Sequence, residues 1–109
     1  MKSIKYNKLI RDKIPEIIKK KGAVPEVSCL SDANFIKELK KKLIEEAQEV
    51  QGAKNKKDLL NEIVDVLEIL MNIAKIKKFN WKNIENKRKI KKLERGGFNK
   101  KLFLKQVQE

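Results

Sequence analysis

The stretch Leu59–Ile76, LLNEIVDVLEILMNIAKI, constrains this chain more than any other part of it. Its apolar residues recur at helical intervals but are spread around much of the circumference rather than confined to one stripe. Such a helix has to be covered on more than one side. It is therefore expected either at the centre of its domain or at a subunit contact.

Three acids interrupt that helix, and two of them stand out. At 100° per residue, Glu62 falls inside the sector occupied by Val66, Ile69 and Ile73, with Asp65 at its edge. A charged carboxylate against apolar neighbours is costly unless it is paired or binds a cation. The preceding segment, LIEEAQEV, carries Glu46 and Glu49 at the same spacing of three, so each pair shares one face of its helix. Four carboxylates from two adjacent helices can then meet. The chain has no histidine, and an oxygen-only ligand set suits Mg²⁺, or Mn²⁺, rather than zinc.

The surrounding composition sharpens this contrast. Of 109 residues, 28 are Lys or Arg against 15 Asp or Glu, giving a net charge of +13, yet seven of the fifteen acids lie between Glu45 and Glu68. Clustering of this kind favours a local cation site over scattered ion pairs. The excess of lysine is read first as a solvated surface, although it permits contact with nucleic acid, nucleotides or another anionic partner. Cys29 has no second thiol or histidine with which to form a disulfide or a zinc site, and is expected to be a small apolar filler. The opening MKSIKYNKLIRDK does not resemble a signal peptide and no apolar run reaches membrane-spanning length, so a cytoplasmic protein without a membrane partner is expected.

At this length residues 1–109 are expected to form a single all-α domain, stabilised by pairing into a dimer or larger homo-oligomer. About four helices are predicted. The first begins near Asp12 or Lys13, with Pro15 in its opening turn, and stops at Gly22. Alternation in VPEVSCL predicts an extended connection over Ala23–Leu30 that allows one short strand. A second helix runs from about Ala33 to Gln51 after a cap at Ser31 or Asp32. Its apolar stripe is Phe35, Ile36, Leu39, Leu43, Ala47 and Val50, with Glu46 and Glu49 along one edge and Glu45 nearer solvent. Gly52 and Asn55 break the chain before a third helix over Lys56–Lys77. Asn80 caps a fourth, Trp81–Glu94, with Ile84, Ile90 and Leu93 as its inner positions, and Gly96 and Gly97 end it. The tail carries Phe98, Leu102 and Phe103, which predict that it packs down.

Taken alone, the acids on the second helix are a weak signal, because Lys41 with Glu45 and Lys42 with Glu46 make ordinary i,i+4 pairs. Their conjunction with a second acidic pair, a hairpin-length separation and apolar neighbours is more specific. The pattern Glu45-Glu46-x-x-Glu49 followed by Glu62-x-x-Asp65 resembles the signature of the all-α nucleoside triphosphate pyrophosphohydrolases of the MazG and phosphoribosyl-ATP pyrophosphohydrolase type. The opening Tyr6–Pro15, YNKLIRDKIP, and the closing Lys91–Phe98, with its R-G-G-F, resemble the ends of a small phosphoribosyl-ATP pyrophosphohydrolase-like branch. The resemblance thus spans nearly the whole chain.

That resemblance implies a MazG-like helical bundle in which Glu46, Glu49, Glu62 and Asp65 hold Mg²⁺ at the triphosphate of a nucleotide. It also implies hydrolysis at the α-phosphorus, giving a nucleoside monophosphate and pyrophosphate, as in a house-cleaning enzyme. Glu45 is a candidate to orient or deprotonate the attacking water, with a simple solvated acid as the stronger reading. Arg11 and Arg95, rare arginines inside the terminal motifs, are the leading candidates to grip phosphate through two hydrogen bonds, followed by Lys8, Lys13 and Lys91. An ion pair between Arg11 and a helix acid is an equally good reading, and Arg88 is expected on the surface. Trp81 and Phe98 are read as core before they are read as platforms for a base. Two alternatives stand beside this reading. One keeps the chemistry with phosphoribosyl-ATP as substrate, as in histidine biosynthesis. The other is a basic, non-catalytic helical module that binds nucleic acid, which the charge favours and the acids among apolar residues oppose.

Overall fold

Residues 2–109 are described in a computed structural model, and among them the regular structure is entirely helical: α1 (Ile14–Lys20), α2 (Asp32–Gly52), α3 (Lys56–Ile76) and α4 (Trp81–Arg95). None is long and apolar enough to cross a membrane. The helix starts follow local chemistry. Pro15 lies in the first turn of α1, where its missing N–H costs nothing. Ser31 is the cap of α2, its hydroxyl accepting from the Asn34 N–H at 3.2 Å. Asn55 caps α3 in both directions: its side-chain oxygen accepts from the Asp58 N–H at 2.8 Å, while its amide donates to the Asp58 carboxylate at 3.0 Å. Asn80 accepts from the Lys82 N–H at the head of α4. Gly22, at φ 88°, closes α1 in the left-handed region that a side chain would oppose.

The three residues between Gly52 and Lys56 turn α2 back on α3, and among the described residues this hairpin is the one extensive helix–helix contact. Along it α3 turns Glu62, Asp65, Val66, Ile69, Asn72, Ile73 and Ile76 inward, a rhythm of threes and fours that keeps one seam against the partner helix. Among the described residues few are buried: Leu39 on α2, with Ile69 and Ala74 on α3. The other side of α3, bearing Leu60, Ile63, Val64, Leu67 and Met71, is 45% to 62% exposed. A position at the centre of the domain is therefore not what α3 has.

The radius of gyration is 18.8 Å and the extents are 64 × 35 × 28 Å, whereas a compact chain of this length would have a radius of gyration of about 13 Å. Helix α4 accounts for much of the difference, because every residue from Asn86 onward is exposed. Ile84 is half-buried as expected, but Ile90 and Leu93 are not inner positions, at 53% and 87% exposed.

Three further expectations are corrected. The segment Ala23–Leu30 is extended but forms no strand, since no second strand lies beside it to complete a ladder. Cys29 is exposed rather than a filler. The tail does not pack down: Phe98, Leu102 and Phe103 are 97%, 85% and 87% exposed. Apolar content gives these segments a reason to be covered, but one copy of the chain offers no surface to do so.

With so few buried side chains, the hairpin depends on each of them. Leu39→Ala should destabilise the fold by about 2–4 kcal/mol, measured by urea unfolding followed through helical circular dichroism. Val24→Ala, at a residue 93% exposed, should change it by less than about 0.5 kcal/mol.

Candidate metal centre

The inward seam of α3 and the facing edge of α2 bring three acids together. One carboxylate oxygen each from Glu46, Glu62 and Asp65 lies within 4.8 Å of the others, and all three residues are half-buried. The hairpin turn sets the register that makes this possible, placing the last turns of α2 beside the first turns of α3. Glu49 lies outside the triad. It shares with Glu62 an open depression of about 320 Å³ at the turn, which Asp58 also lines. Glu45 is exposed on the outer side of α2.

The N-terminal leader supplies the counter-charge. Asn7 adopts a left-handed conformation (φ 46°) that bends the chain, a conformation asparagine tolerates better than most residues. Beyond the bend, Arg11 donates a hydrogen bond from Nη2 to Asp65 Oδ1 at 2.7 Å, and Lys8 Nζ lies 3.9 Å from Glu45. Of the two readings open for Arg11, the ion pair with a helix acid is the one present in the unliganded chain. Lys42, one turn before Glu46, is 3.9 Å from that carboxylate. Lys13, Lys91 and Arg95 make no ion pair among the described residues, and Arg88 pairs with Glu85 on the surface of α4.

The charges do not balance. Two carboxylates about 5 Å apart repel by roughly 3 kcal/mol at an effective dielectric of about 20, whereas an exposed pair such as Arg11–Asp65 recovers at most about 1 kcal/mol. Glu46 carries the consequence. Its carboxyl is pushed above the usual range, first by burial, then by sharing a hydrogen bond with Glu62 and by the charge of Asp65, with Lys42 opposing. A hard divalent cation would relieve this repulsion, and three convergent carboxylate oxygens are the donor chemistry that Mg²⁺ or Mn²⁺ takes.

Two neighbours of the triad were not singled out from the sequence. Asp58 lines the depression at the turn, but its carboxylate already receives the Asn55 amide, so it is part of the cap. Further along α3 a second depression, of about 360 Å³, is walled by Met71, Phe79 and Trp81, with Glu68 and Asn72 at its edge. There the Asn72 amide donates to the Glu68 backbone and side-chain oxygens, both at 2.9 Å. The Asp65–Glu68–Asn72 spacing of three and four was the available signal. Trp81, 37% exposed, is a wall of this depression rather than core.

The chain matches no family model, no curated protein and no solved structure.

A raised carboxyl has a definite consequence for stability. The folded chain holds the Glu46 proton more tightly than the unfolded chain, where the group titrates near 4.5. Stability of the metal-free protein therefore falls as pH rises from that value through the folded pKa, then levels off. In EDTA at neutral pH, Glu46→Gln should melt above wild type, with the gap closing as pH falls below about 4.5. A variant that melts lower at neutral pH would show that Glu46 is not held against its neighbours' charge.

Proposed function

We propose that this protein is a Mg²⁺-dependent nucleoside triphosphate pyrophosphohydrolase of the MazG-like type, acting on a nucleotide and releasing pyrophosphate. The observation that carries the reading is the convergence of Glu46, Glu62 and Asp65 in the seam of a helical hairpin, with Glu49 one turn away. The terminal motifs around Arg11 and Arg95 support it from the sequence side.

In this reading the triad holds the cation, with Glu49 reaching it from the adjoining depression. A divalent cation held there would neutralise charge on the phosphate oxygens and make a water molecule a better nucleophile. The water oxygen bonds to the α-phosphorus as the bond from that phosphorus to the α–β bridging oxygen breaks. The products are a nucleoside monophosphate and pyrophosphate. Arg11 stands in for a cation in the unliganded chain; once displaced from Asp65 it is close enough to clamp a phosphate through its planar fork. Lys8 follows it on the same leader. Glu45 is exposed and engaged only loosely by Lys8, and we assign it no step.

A second copy of the chain belongs to the reading as well. Seven large apolar residues of α3, from Leu59 to Met71, are between 38% and 62% exposed, a patch of the kind that marks an interface rather than a monomer's surface. The chain buries too little alone to be expected to stand alone.

Purified protein with Mg²⁺ and a nucleotide panel that includes phosphoribosyl-ATP should release pyrophosphate, and EDTA should abolish it. Asp65→Asn or Glu62→Gln should lower the rate roughly 100-fold or more with helical content unchanged; full activity in both variants would sink the assignment. In sedimentation at micromolar concentration wild type should run as a dimer or larger, and Leu67→Glu, which places a charge in the apolar patch, should shift it toward monomer.

A further inference from the structure

We propose that the N-terminal leader is a strap that a divalent cation releases: Arg11 and the cation compete for Asp65, so that loading the acidic seam frees the leader from the hairpin. The inference rests on the metal-binding part of the pyrophosphohydrolase reading and not on the hydrolysis.

The starting observation is where two basic residues of the leader land. Lys8 Nζ lies 3.9 Å from Glu45 on α2, and Arg11 Nη2 donates to Asp65 Oδ1 on α3 at 2.7 Å. Three residues of chain reach at most about 11 Å, so the leader crosses from one helix of the hairpin to the other by a short path. Glu45 directly precedes Glu46, and Asp65 is itself a member of the triad. The crossing is therefore made at the level of the three acids. Among the described residues the Arg11–Asp65 contact is also the only side-chain hydrogen bond between residues more than four apart in the chain.

Little else holds the leader down. Residues 2–13 form no helix or strand, Leu9 is the one half-buried residue among them, and α1, which follows, has no buried residue. The side chains of Arg11 and Asp65 are 55% and 39% exposed, and an ion pair this open to water is weak enough to exchange.

The triad gives the exchange its direction. A cation accepting one oxygen each from Glu46, Glu62 and Asp65 would stand beside the guanidinium that Asp65 already receives, and the two positive charges repel. The doubly charged ion gains from three carboxylates, whereas Arg11 touches one. Strap and cation are then linked reciprocally: whatever holds the leader down weakens the metal site, and metal loosens the leader by the same factor. Once free of Asp65, the guanidinium fork is available to a phosphate. This orders the events at the site, with the cation entering before the nucleotide.

The test uses the full-length protein and Mg²⁺ alone. In chains labelled with nitrogen-15, the heteronuclear NOE of the amides from Lys8 to Asp12 reads the order of the leader. Saturating Mg²⁺ should lower it in wild type toward the value in Arg11→Ala, where Mg²⁺ should change it little. By calorimetry, Arg11→Ala should bind Mg²⁺ about 2- to 5-fold more tightly than wild type. Its gain should exceed that of Lys13→Ala, which removes the same charge from a residue without an ion pair among the described residues. A leader as ordered with Mg²⁺ as without it, or equal affinities in wild type and Arg11→Ala, would overturn the proposal. Equal gains in Arg11→Ala and Lys13→Ala would overturn it too, since net charge alone would then explain them. Should the strap respond as expected while no nucleotide is turned over, the pyrophosphohydrolase reading fails and this one stands; turnover with an immobile leader is the reverse.

Discussion

Repulsion among three carboxylates in a helix seam is the condition that the rest of this structure answers to. Glu46, Glu62 and Asp65 occupy inward positions that Leu or Ile would otherwise fill, in a hairpin with three buried residues among those described. Apolar residues there would strengthen a small core at no electrostatic cost. Among the described residues the triad meets only the half-exposed guanidinium of Arg11, at Asp65, and the Lys42 ammonium, 3.9 Å from Glu46. Arg11 satisfies one carboxylate of the three, and the carboxyl of Glu46 is pushed above its usual range, first by burial, then by the hydrogen bond it shares with Glu62 and by the charge of Asp65.

The two faces of α3 tie that site to assembly. Its inward face carries the acids and the seam residues; its outward face carries an apolar patch that no part of the same chain covers. One helix thus contributes two of the three convergent acids and the candidate subunit contact. Whatever packs on the outward face also fixes the rotation and translation of α3, and hence the distance between Glu62 and Asp65 and the α2 acids opposite. Coupling of this sort makes metal affinity and oligomer stability sensitive to the same substitutions, because a rigid helix cannot move on one side alone.

How much was legible in the sequence follows from how local each cause was. Caps are set within three residues, and so Ser31, Asn55 and Asn80 stand at the helix starts. The seam of α3 was legible too, since helical period alone puts Glu62 among Val66, Ile69 and Ile73. Glu49 shows the limit: a spacing of three places it on the same face as Glu46, but whether it enters the triad depends on how fast α2 and α3 diverge toward the turn, which periodicity does not contain. Ile90, Leu93, Cys29 and the tail were misjudged for a different reason. An apolar residue in a sequence states that it gains by burial and says nothing of which molecule buries it.

That distinction bears on the whole distal part of the chain. Helix α4 is a regular helix, capped by Asn80 and closed by the Gly96 N–H on the Lys92 carbonyl at 2.8 Å, yet nothing in the same chain holds its last ten residues. An isolated helix of this length is marginal in water, and one this rich in like charge more so. Its two apolar residues in that stretch, Ile90 and Leu93, stay exposed, so among the described residues this end of the helix draws its order from the backbone ladder and its caps rather than from packing.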